Sequence, residues 1–102
     1  MRPRIELQNL LENLLGSTNV YFQPPESIKM KFPCIVYQRI SGDTKFGDNM
    51  GYMFTARYQV TRIGKESNPE DFILEMSKLP RCIYDRHYVV DNLHHDNFYL
   101  YW

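Results

Sequence analysis

The sequence predicts a single α+β domain over residues 1–102, a mainly antiparallel sheet of four to five strands packed by two helices. Three observations predict it. A helical leucine stripe stands near the amino terminus, a stretch of strict period-two alternation lies in the middle, and a second helical stripe separates that stretch from two β-rich segments at the end. The element order is therefore α-β-β-β-α-β-β. At 102 residues the chain suits one core, since a domain of this size buries about two thirds of the surface its unfolded form exposes.

In the first element Leu7, Leu10, Leu11, Leu14 and Leu15 recur at the spacing of one helical face, and Glu6, Gln8, Asn9, Glu12 and Asn13 take the other. Pro3 and Gly16 bracket it, because proline suits a first helical turn and glycine accepts the left-handed conformation that closes a helix. Asn19–Gln23 is rich in β-formers but is followed by Pro24 and Pro25, so any strand here is brief or lies at an edge. The segment up to Pro33 reads as loop.

Cys34–Ile40 is the first clear strand, and the polar, glycine-bearing stretch SGDTKFGDNMG after it reads as a loop, long for a plain hairpin. In the next strand Phe54, Ala56, Tyr58 and Val60 face one way, and Thr55, Arg57, Gln59 and Thr61 the other. Ser67 or Asn68 caps the second helix, Pro69 suits its first turn, Glu70 and Asp71 complement its dipole, and Phe72, Ile73, Met76 and Leu79 form its apolar stripe before Pro80 ends it. Cys82–Val89 and Asn97–Trp102 then read as strands joined by the polar turn DNLHHD.

Twelve basic and twelve acidic residues give zero net charge, without the excess of positive charge by which nucleic-acid binders neutralise phosphates. Residues 1–66 hold nine basic and six acidic groups and residues 67–102 hold three and six, a polarity that would let like molecules meet head to tail. The amino-terminal segment lacks an unbroken apolar h-region, and no stretch approaches the ~20 apolar residues of a membrane span. The reading is a cytosolic protein with Cys34 and Cys82 reduced, and with neither membrane nor nucleic-acid partners.

The chemically suggestive cluster is His87, Asp91, His94, His95 and Asp96, whose residue types are those that ligate transition metals. Its spacing matches no established ligand pattern, and on an extended chain His94 and His95 point to opposite faces, so a structural turn is the plainer reading. Cys34 and Cys82 lie in apolar strands, where burial raises a thiol pKa, rather than beside a base. The glycines of the long loop contain neither a GxGxxG fingerprint nor a GK[ST] cradle. No catalytic residue and no cofactor or metal is expected.

Aromatic residues make up 15% of the chain, with eight Tyr and six Phe, more than a minimal core needs. In FYLYW, Phe98, Leu100 and Trp102 share one strand face and Tyr99 and Tyr101 the other, so another chain could supply the second cover. The segments LQNLLENLLG, NVYFQPP, FPCIVYQR, YQVTRIGKESNP and LPRCIYDRHYVVDNLHHDNFYLYW together resemble the small tail terminator, or tail completion, proteins of long-tailed phages. The resemblance covers nearly the whole chain.

It implies a small α/β protein, made in the host cytoplasm and resident at the head-proximal end of the virion tail, that assembles into a ring, commonly a hexamer. Such a ring sits on the last ring of tail-tube protein, ends tube growth and offers a surface to the head-tail connector protein. Interface residues carry over by region: Asp43, Lys45, Phe46, Asp48 and Asn49 in the long loop, and Asp91, Asn92 and Asp96 in the acidic turn. Tyr99 and Tyr101 join them from the residue reading. Three alternatives stay open: a head-tail connector component of the same fold, a small metal-dependent enzyme built on His87, His94, His95 and Asp96, and a regulatory module that binds a host protein through a sheet edge.

Overall fold

The computed structural model describes residues 3–25, 29–47, 51–79 and 81–102, and their side chains except at residues 42–47 and 51–54. Helix α1 runs Arg4–Leu15 between Pro3 and Gly16, whose φ of 76° is the left-handed closure expected of it. Leu7 and Leu11 are fully buried, and Leu10, Leu14 and Leu15 pack against the core at its margin. Strand β1 is Val20–Phe22, brief and at the sheet edge as its prolines require.

Strands β2 (Cys34–Gly47) and β3 (Gly51–Gly64) are much longer than the sequence suggests. Residues 41–47 and Gly51, read as loop, remain paired antiparallel out to Gly47↔Gly51, and β3 starts before the expected Phe54. Gly42, Gly47 and Asp43 mute the period-two pattern there, yet each strand supplies the other's backbone hydrogen bonds, and such pairing overrides weak β-propensity. A register shift between Arg39 and Ser41 bends this arm at Ile40.

Helix α2 is Glu70–Ser77. The expected side-chain cap is not made: Asn68 reaches the Glu70 carboxylate instead at 2.8 Å, and the Asn68 carbonyl accepts the Glu70 amide. The helix stops at Ser77, and Pro80 lies outside the described residues.

Strands β4 (Ile83–Val90) and β5 (Leu93–Tyr101) form the closing hairpin. Its turn is two residues rather than the six of DNLHHD. Asp91 and Asn92, at φ of 53° and 64°, are both left-handed, as the tight hairpin turn that matches strand twist demands. Leu93, His94, His95 and Asp96 are therefore strand residues.

The sheet order is β1-β2-β3-β5-β4, antiparallel throughout except for β1 against β2. One face carries Val20, Ile35, Tyr37, Ala56, Tyr58, Val60, Phe98, Leu100 and Trp102, all buried with Leu7, Leu11, Phe72 and Met76 of the helices. Each buried Val, Leu, Ile, Phe or Met among them contributes about 1.5–3 kcal/mol. Tyr37 ties α1 to this layer, since its hydroxyl donates to Gln8 and accepts from Arg4 at 2.8 Å. Burial raises the pKa of that hydroxyl, with the Arg4 guanidinium opposing the shift. Phe72 meets Phe98 edge-on at 5.8 Å, which seats α2 on the same face.

Candidate interaction surfaces

Alternation puts Val36, Gln38, Thr55, Arg57, Gln59, Thr61, Tyr99 and Tyr101 on the other face, all exposed or half-buried. Polar cross-strand pairs order it. Gln38 donates to Gln59 at 3.0 Å, and the Thr61 hydroxyl donates to the buried Asn97. The Arg57 guanidinium stands 4.8 Å from the Tyr99 ring and 5.8 Å from Tyr101, and the Arg81 guanidinium lies 3.8 Å from Tyr101. Cations held over aromatic rings are typical of surfaces that recognise other chains. Arg57 and Arg81 were not among the expected site residues, although the alternation already put Arg57 on the polar side.

The two rims of the sheet differ. On one, β4 exposes Ile83, Tyr84, Val89 and Val90 along a free edge, interrupted by a register shift between Tyr84 and Arg86. On the other, among the described residues, β1 covers only Ile35–Tyr37 of the fourteen-residue β2. Uncovered edges of this kind are sites for strand addition unless charge, proline or a bulge blunts them.

The expected interface residues scatter across this framework. Asp43, Lys45 and Phe46 lie on the paired β2 arm, opposite Thr55, Met53 and Tyr52. Asp48 and Asn49 lie outside the described residues. Asp91 and Asn92 are exposed at the hairpin turn. Asp96 is a correction: it is 2% exposed, on the helix-bearing face of β5, where its Oδ1 accepts from the Tyr84 hydroxyl at 2.7 Å. The short turn leaves it in the ladder, with its carboxylate turned inward.

The histidines divide by face. His87 and His94 stack at 5.1 Å with Nε2 and Nδ1 3.0 Å apart, while His95 stacks on Tyr88 at 4.7 Å on the opposite face. The four groups of the metal-enzyme alternative thus do not share one site, and among the described residues no three potential ligands converge. Cys34 and Cys82 are free thiols, and burial pushes Cys34 up to about 11. Such a thiol is a poor nucleophile at neutral pH.

No helix of the described residues is long and apolar enough to cross a membrane. Comparison with protein-family models, with curated proteins and with solved structures returns no match.

Proposed function

We propose that this chain is a structural assembly protein that closes into a ring and caps the tail tube of a long-tailed phage, ending tube growth and presenting a surface to the head-tail connector. The observation that carries the self-assembly part is the pair of unlike open rims, β4 on one side and the uncovered length of β2 on the other. Unlike edges on opposite sides of one molecule suit head-to-tail contact, and such contact makes a ring when its rotation closes. The polarity of charge along the chain, basic before residue 67 and acidic after it, favours the same arrangement. The phage setting, the hexamer and residence in the virion rest on the sequence resemblance alone. A connector component of the same fold would use the same surfaces.

Light scattering after size exclusion, over a concentration series with and without tail-tube protein, tests the proposal. A defined multimer or a discrete complex with the tube protein is expected. A monomer at all concentrations that ignores the tube protein overturns it. Charge reversal at Lys45, on the paired β2 arm, should weaken assembly while leaving the fold intact.

A further inference from the structure

Arg62 is a cation that the fold buries without fully satisfying. Two residues beyond Val60 on the same strand, it falls on the helix-bearing face and is 7% exposed. Nη2 lies 3.4 Å from a Glu66 carboxylate that is itself largely exposed, and the guanidinium stands 5.6 Å from the Phe72 ring. Among the described residues Nε and Nη1 have no partner. Asp96, opposite Arg62 in the β3–β5 register, is engaged by Tyr84 and forms no ion pair with it. A buried guanidinium with free N–H groups strongly favours an anion beside it.

Two cavities border this side chain. The first, of about 370 Å³, is lined also by Glu66, Glu70 and Asp71, carboxylates that repel an anion. The second, of about 340 Å³, is lined by Phe32, Pro33, Arg62, Lys65 and Glu66. A Cβ at Gly64 would come within 3.2 Å of Pro33 Cβ and 3.3 Å of Arg62 Nη1, so the missing side chain leaves room beside two residues of this wall. Arg62 and Lys65 thus line the second cavity together, with an apolar wall from Phe32 and Pro33.

We propose that this second cavity is a carboxylate-binding site, taking the carboxyl group of an otherwise apolar ligand. Arg62 Nη1 donates to the carboxylate, Lys65 adds a second positive charge, and Phe32 with Pro33 covers the apolar body. Glu66 in the wall disfavours a dianion such as phosphate. The carboxylate comes either from a free small acid or from an Asp or Glu side chain of another polypeptide. The site is independent of the ring reading.

The test is titration of the dilute, isotope-labelled protein with sodium propionate, against sodium chloride at equal ionic strength, followed by amide chemical shifts. Saturable shifts confined to Phe32, Gly64 and Lys65 are expected. Arg62→Met should weaken the response at least tenfold, and Gly64→Ala, which crowds Pro33 and Arg62 Nη1 while keeping the positive charge, should do the same if Arg62→Met fails to fold. Shifts that do not saturate, that chloride reproduces, or that survive both substitutions overturn the proposal. Repeating the titration where the protein is multimeric separates the sources, and either result supports the site. Loss of propionate binding assigns the carboxylate to a neighbouring chain, and unchanged binding assigns it to a free acid.

Discussion

Phe98 and Tyr99 are consecutive in β5 and face opposite sides of the sheet, so truncating each in turn weighs the two faces against one another. Phe98 is fully buried, with Phe72 at 5.8 Å and Tyr84 at 5.1 Å, both edge-on. Phe98→Ala should cost about 3–5 kcal/mol, the usual range for a phenylalanine removed from a core. Tyr99→Ala removes the contact with Arg57 at 4.8 Å, worth about 0.5–1 kcal/mol. It also removes packing against the register partners Gln59 and Ile83, worth about 0.2–1 kcal/mol. Urea denaturation of the dilute monomer reads the difference. With a slope of about 2 kcal/mol per M, Phe98→Ala lowers the midpoint by about 2 M and Tyr99→Ala by about 0.5 M. Equal losses, or a larger loss at Tyr99, would refute the assignment of faces and mean that the second face of the sheet is covered within the monomer.

Three further outcomes are expected. At the β4–β5 turn, Asn92→Gly should hold or raise the thermal midpoint and Asn92→Val should lower it, since a β-branched residue held left-handed costs about 1–2 kcal/mol; a calorimetric scan decides. Cys34, fully buried and raised by burial from its ordinary 9.0 to about 11, should resist thiol reagents in the native state and react on unfolding. The thiol form is favoured by folding, so this contribution to stability is present below pH 9 and is lost as pH rises toward 11. Burial, then the hydrogen bond to Asp96 and its negative charge, push the Tyr84 hydroxyl up to about 12. Ultraviolet titration should therefore show Tyr84 ionising late, in company with the raised Tyr37, and the Tyr84 stabilisation is present below pH 10 and fades between pH 10 and 12. Tyr84→Phe should remove one tyrosine from that late phase and cost about 1–3 kcal/mol in urea, because Asp96 loses its donor and its other oxygen already lacks one.

The parts of this protein determined by local periodicity were legible in the chain. The stripe of Leu7 and Leu11, the bracketing by Pro3 and Gly16, the alternation from Phe54 to Thr61 and the opposed faces of Phe98 and Tyr99 depend only on the repeat of a helix or a strand. Continuing that alternation two residues past Val60 would also have put Arg62 on the core side, a signal that was there to be followed. Other features depend on what lies across the sheet. The β2–β3 arm persists through glycine and aspartate because each strand satisfies the other's backbone, and no single segment carries that information. Asp96 is buried because the hairpin turns in two residues at Asp91 and Asn92, and only the ladder fixes where a turn begins. The meeting of His87 with His94, the unlike rims at β4 and β2, and the cavity where Gly64 leaves room beside Arg62 all join residues distant in sequence. Sequence alone thus set the faces of each element, and tertiary pairing decided which of those faces remained open.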